Sequence, residues 1–305
     1  MYVECATQAD LDAVPAGKIA VVRSGFFVAW GSSRVVAWGS SRVVARESSS
    51  VEAWESSSVE ARESSSVEAR GSSSVVAWES SSVVAWESSS VVAWESSRVE
   101  AWGWSRVVAW GSSRVVAWGS SRVEAWGSSR VEARGSSRVV ARDSSSVEAR
   151  GSSRVEARES SRVEAAPLVA VHRFSREAVT KGGIIIDCTR IHDDIGEWCA
   201  YYGASVKRGR VTVFKAVDDE LLSGHGHEYP VGKTVKCNDF KPTAKCGNGL
   251  HFCADPRSAQ ARYFPEATRF LECTISAKDA VIVGDKLKAP ACRVVREVDS
   301  GGRPV

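Results

Sequence analysis

Val107-Val108-Ala109-Trp110-Gly111-Ser112-Ser113-Arg114 is followed at once by Val115-Val116-Ala117-Trp118-Gly119-Ser120-Ser121-Arg122. Outward from this pair, the same octad recurs without interruption from Val35 to Ala165. All seventeen units keep Val at position one and Ala at position three, and Ser holds position seven from Ser33 to Ser161. A helix returns its apolar stripe every 3.6 residues, so a strict period of eight excludes one. A short strand of alternating side chains followed by a tight turn fits the period. The invariant Val and Ala point inward. Position two (Val or Glu) and position four (Trp or Arg) point outward, as does position six, where Trp104 replaces Ser. The constant Ser of position seven is read as an inward hydroxyl that satisfies turn backbone groups.

One octad cannot bury its apolar face alone, so the units must stack as a solenoid. Three octads per coil would leave an interior that Val, Ala and Ser cannot fill at native packing density, which favours two. About twenty octads, counting degenerate units at Ile19/Val21 and Phe27/Ala29, then give about ten coils and a rod roughly 50 Å long. Thr7 to Ala13 reads as a short capping helix with Thr7 as N-cap and Asp10 at N3.

The average composition, 43% hydrophobic and 25% charged with net charge +3, hides two different polymers. Residues 1–166 hold eleven of the twelve Trp, no His, one Lys and one Cys; all five His, ten Lys and seven Cys lie beyond. Neither part is basic enough to announce a nucleic-acid binder by composition. No apolar run is long enough for a transmembrane helix and no signal peptide is visible, so a cytoplasmic protein without a membrane partner is expected. Eight scattered Cys fit reduced thiols.

With two octads per coil, Trp78, Trp94, Trp110 and Trp126 line up on one face beside Val76, Val92 and Val108. Trp86, Trp102 and Trp118 line up on the other beside Val84 and Val116. Such ladders serve either self-association into a homo-oligomer or stacking within one chain, and the sequence leaves both open. Position eight carries Arg98, Arg106, Arg114, Arg122, Arg130 and Arg138 in succession, rows that could follow a phosphate backbone. Neighbouring Glu dilute them, so solubilising charge is the preferred reading and nucleic acid is not favoured.

Beyond Ala166-Pro167 the octads cease. Leu168–Val171 is expected to cap the last coil and Ile184-Ile185-Ile186 to form a short buried strand. Asp194 is read as N-cap of a helix near 194–202 that ends at Gly203, and Asp255-Pro256 as the start of another running to about Phe264. Val211–Val217, Leu250–Cys253, Arg269–Ile275, Ala280–Val283 and Cys292–Val298 read as strands. The expected organisation is an N-terminal cap (1–25), a solenoid (26–166), a cap and linker (167–208) and an α+β domain (209–305). The fold class is therefore mainly β, a two-octad-per-coil β-solenoid followed by a small α+β domain.

Phe214-Lys215-Ala216-Val217-Asp218, Tyr229-Pro230-Val231-Gly232 and Cys246-Gly247-Asn248-Gly249-Leu250-His251-Phe252 carry a resemblance, continued by Asp255-Pro256, Tyr263-Phe264, Arg269-Phe270-Leu271 and Asp285–Ala289. Over roughly 209–300 the chain resembles a domain of unknown function in bacteriophage and bacterial proteins, some of which place octapeptide repeats ahead of it. The resemblance implies a phage or prophage setting and no particular chemistry.

The leading expectation is accordingly a structural or interaction protein without enzymatic activity or cofactor, its rod a spacer and self-association surface, its head binding an unknown protein partner. Gly247-Asn248-Gly249 and the helix start at Asp255 place polar groups suited to an anion or a peptide end. One alternative is a toxin-like enzyme: His227, Tyr263 and Glu272 occur in an order that resembles ADP-ribosyltransferases, and His251 could serve a Cys246 or Cys253 nucleophile. Another is a nucleic-acid-directed solenoid using the Arg rows. Cys237, Cys246, His251 and Cys253 are possible zinc ligands, but they lack the tight Cys-x2-Cys knuckle, so no metal is expected.

Overall fold

The computed structural model describes all residues, Met1–Val305, as two units, Met1–Asp187 and Cys188–Val305. The first is a β-solenoid of about 12 turns. Every repeat strand pairs in parallel with the strand sixteen residues away, as in Arg106–Ala109 against Arg122–Ala125, so Val stacks on Val and Ala on Ala. This is the two-octad coil. One face runs through strands such as Arg98–Ala101 and Arg114–Ala117, the other through Arg106–Ala109 and Arg122–Ala125.

The interior is as narrow as the residue types demand. Every position-one Val and nearly every position-three Ala of the repeat is buried, and the Ser column from Ser41 to Ser161 is buried with them. Ser105 shows the role of that hydroxyl: Oγ donates to the Trp102 carbonyl at 2.7 Å and reaches the Ala85 carbonyl of the coil before at 3.2 Å. The hydroxyls of Ser49, Ser57, Ser65, Ser145 and Ser161 find no such partner.

Position five explains itself only in three dimensions. Every residue there is left-handed, whether Gly111 (φ 68°) or Glu95 (φ 57°), at a cost of about 1–2 kcal/mol for a side chain other than glycine. Three of the acidic residues, Glu63, Asp143 and Glu159, offset part of it across the coils. Glu63 Oε2 accepts from the Glu47 backbone N–H at 2.9 Å, and Asp143 Oδ2 accepts from that of Gly127 at 2.8 Å. At Gly151 a Cβ would stand 2.7 Å from the Gly135 carbonyl oxygen, so only glycine fits.

The coil starts earlier and ends later than the octads, which is why there are more turns than ten. Tyr2–Glu4 pairs with Ile19–Val22, and the helix Gln8–Asp12 has the Thr7/Asp10 capping box read from the sequence. At the other end Leu168–Val171 is not a separate cap. It lies in the long strand Arg162–Arg173, which serves both faces, and Val179–Asp187 adds a last rung to both. The expectation of a buried Ile184–Ile186 fails: these side chains are 38–56% exposed. They sit on that last rung, and no further octad follows to stack on them.

The second unit is built on an antiparallel sheet in the order Thr234–Lys236, Ala291–Val298, Arg269–Ser276, Arg210–Val217, Leu250–Cys253, Lys286–Ala289, Val281–Val283. The helix Ile195–Tyr202 has Asp194 as N-cap and Gly203 as C-cap, and drives the fully buried Trp198 into the sheet's core. Trp198 Nε1 donates to the Gly284 carbonyl at 3.1 Å. The helix Pro256–Tyr263 starts at Asp255, whose carboxylate accepts from the Ser258 N–H at 2.8 Å.

Candidate functional site

The alternation of Val211, Val213 and Val217 along Arg210–Val217 sends these residues into the core, and Lys215 falls on the same phase. A lysine on the inward row needs partners for its ammonium. Its Nζ donates to the His251 carbonyl at 3.1 Å and lies 5.0 Å from the Tyr229 ring centroid and 5.8 Å from that of Phe252. Burial pulls this amine down to about 8, against the opposing influence of Cys273, Cys253 and Cys292.

Beside it opens a cleft of about 700 Å³. Its floor holds Lys215 and Phe252, its walls His251, Tyr263 and Phe264, and Lys286 Nζ stands 4.2 Å from the Tyr263 ring centroid. Tyr263 is held by Asp285, which also pairs with Arg262. Burial, with the hydrogen bond to Asp285, raises its hydroxyl above the ordinary range. Burial and the cations Lys286, Lys215 and Lys288 lower His251 to about 4, so its imidazole is neutral at pH 7, and its buried Nε2 has no partner. Burial lifts the Cys253 thiol to about 12, which leaves it a poor nucleophile.

The rim is built by a turn that depends on glycine. Lys288, fully buried, donates from Nζ to the Lys245 carbonyl at 2.9 Å, and its stem runs under Gly249. A Cβ on Gly249 would meet Lys288 Cγ at 2.5 Å, so no larger residue closes this turn over the lysine. Asn248 Nδ2 donates to Asp239 at 2.6 Å across the same rim.

The sequence candidates separate clearly. His227, His251 and Tyr263 line the cleft, whereas Glu272 does not: its carboxylate is paired with Arg296 at 2.8 Å. Cys237, Cys246, His251 and Cys253 also line it, yet no three His, Cys, Asp or Glu side chains converge closely enough to hold a metal ion. The Cys237 thiol instead donates to Asp239 at 2.8 Å. Sequence reading missed Lys215, Lys286 and Lys288. The signal was present for Lys215, as a cation on the apolar phase of a strand.

On the solenoid, the Trp ladders are stacked. Trp78, Trp94, Trp110 and Trp126 follow one another at 5.2, 5.3 and 4.8 Å between ring centroids, and Trp86, Trp102 and Trp118 at 5.2 and 4.9 Å. Arg142 closes the first stack over Trp126 at 4.4 Å, and Arg134 the second over Trp118 at 4.5 Å. The flat faces of the rings are thus used within the chain, with their edges half-exposed. Ion pairs such as Arg134–Glu132 and Arg150–Glu148 join positions four and two and leave Arg98, Arg106, Arg114, Arg122, Arg130 and Arg138 outside them.

All eight cysteines are free thiols, and no helix is long and apolar enough to cross a membrane. No curated protein and no solved structure matches the chain. Residues 211–302, the span that builds the cleft's floor, turn and helical wall, match the model of a domain of unknown function (DUF7666).

Proposed function

We propose that the chain is a phage-derived, non-enzymatic interaction protein of a reducing cytoplasm, in which a solenoid rod presents a head that binds a small organic anion. The phage setting rests on the resemblance of residues 209–300, and the compartment on the free thiols. One observation carries the binding reading: Lys215 and Lys286 face an aromatic-walled cleft in which neither amine has a carboxylate partner. With Lys236, three lysines stand against the single carboxylate Asp239 among the lining residues. A flat anion satisfies both the rings and the amines. Calorimetric titration of the full chain with ATP, benzoate and a peptide ending in a free carboxylate tests this. At least one should bind with a Kd below about 1 mM, weakened about tenfold or more by Lys286→Met. Absence of heat for all three at millimolar concentration overturns the reading.

A second reading, pairing of two copies through one solenoid face, is favoured by the arrangement of that face. Val76, Val92 and Val108 stack in register beside the four-Trp column without a charge between them, whereas Glu100 interrupts Val84 and Val116 on the opposite face. An apolar face with one spacing throughout is complementary to itself across a two-fold axis. Light scattering should give twice the chain mass, halved by Val92→Glu with Val108→Glu. Glu already occupies position two in many octads, so the fold tolerates both changes. A monomeric wild type refutes the pairing.

A further inference from the structure

Arg106, Arg122 and Arg138 start three successive strands of one solenoid face, in register one above the other. Like charges directly opposite one another in adjacent strands repel. None of the three is relieved by an ion pair; the pairs formed within the octads join positions two and four. The turns that lead into these strands contribute Gly103, Gly119 and Gly135 at position five, the nearest turn carboxylate on this edge being Glu87 in the coil before Gly103, and the three strands carry one acid, Glu124. The opposite edge, with Arg98, Arg114 and Arg130, has Glu95 at the turn into Arg98. Neighbouring Glu dilute this row less than the opposite one, whose strands carry Glu100 and Glu132.

The same edge holds an indole with nothing upon it. Trp104 stands at position six, where every other full octad has Ser, and is 74% exposed. It stacks in the column of Ser120 and Ser136, and together with the three arginines these residues line a groove of about 570 Å³. A single file of guanidiniums, one per coil at about 4.8 Å, follows one polyanionic strand. The open ring beside it offers a stacking platform, which an unpaired base can use and a base inside a duplex cannot.

We infer that the Trp104–Arg138 edge of the solenoid binds single-stranded nucleic acid, phosphates on Arg106, Arg122 and Arg138 and a base on Trp104. This site is separate from the cleft of the second unit and does not depend on the reading given for it.

The test uses the full chain and a fluorescein-labelled oligodeoxythymidylate of about twelve nucleotides. Each solenoid substitution introduces the Ser that other octads carry at the same position, so the coil is preserved. Binding should quench tryptophan fluorescence and weaken with salt with a logarithmic slope near −2, as about three phosphate contacts require. Trp104→Ser should abolish the quench and lower affinity about tenfold. Arg106→Ser with Arg122→Ser and Arg138→Ser should remove binding. Arg98→Ser with Arg114→Ser and Arg130→Ser, and separately Lys215→Met, should leave it within about twofold. A duplex of the same length should bind more weakly. No binding at low salt, equal loss from either arginine row, loss with Lys215→Met alone, or a preference for duplex each overturns the inference.

Discussion

Val107→Asp is expected to destroy the solenoid around its midpoint, while Val108→Glu, one residue further on, leaves the fold within about 0.5 kcal/mol of wild type. Val107 is fully buried, stacked between Val91 and Val123. A carboxylate there meets only methyl groups and has no cation within the dry interior, a change of the class that costs about 3–5 kcal/mol or more. The loss spreads because each coil contacts only its neighbours: a broken rung removes a stacking surface from the coils on both sides. Val108 faces outward, and the positions stacked on it in the adjacent rungs are Val92 and Glu124. Circular dichroism melts of the two variants separate the cases. A wild-type melt for Val107→Asp would show that the inward assignment is mistaken.

Lys215→Met should make the second unit more stable at pH 7, by up to about 3 kcal/mol, and abolish the anion binding proposed for the cleft. The amine titrates near 8 in the fold against an ordinary 10.5. Below about 8 both folded and unfolded chains carry the proton, and the fold bears the cost of a buried cation. Between about 8 and 10.5 the folded chain releases that proton while the unfolded chain keeps it, so wild-type stability rises relative to the variant. Above 10.5 neither state carries it and the advantage of Met closes. Thiols and phenols titrate in the same window, but they are common to both proteins and cancel in the difference. Denaturant unfolding from pH 7 to pH 11 measures it. A gap independent of pH, or a Met variant less stable throughout, would place the Lys215 ammonium in water rather than among the rings.

Much of this protein is legible in one dimension because its first unit is nearly one-dimensional. The constant Val, Ala and Ser and the period of eight fix strand, turn, inward face and coil size, since alternation leaves each residue one of two sides and only a two-octad coil fills its interior with such small groups. The caps at Thr7, Asp194 and Asp255 follow from equally local chemistry.

Stacking across the coil decided the rest. It placed Glu63 over the Glu47 N–H, closed the indole stacks with Arg134 and Arg142, and set Arg106, Arg122 and Arg138 in one column, with glycine in each turn that leads into them. These partners lie sixteen residues apart, and their significance rests on which edge each column occupies. The cleft is less local still. Lys215, Tyr229, His251, Tyr263 and Lys286 come from separate segments of an antiparallel sheet, its connections and a helix. A lysine is a surface residue by default, and only the packing of rings around its ammonium, across tens of residues of chain, makes it part of a site.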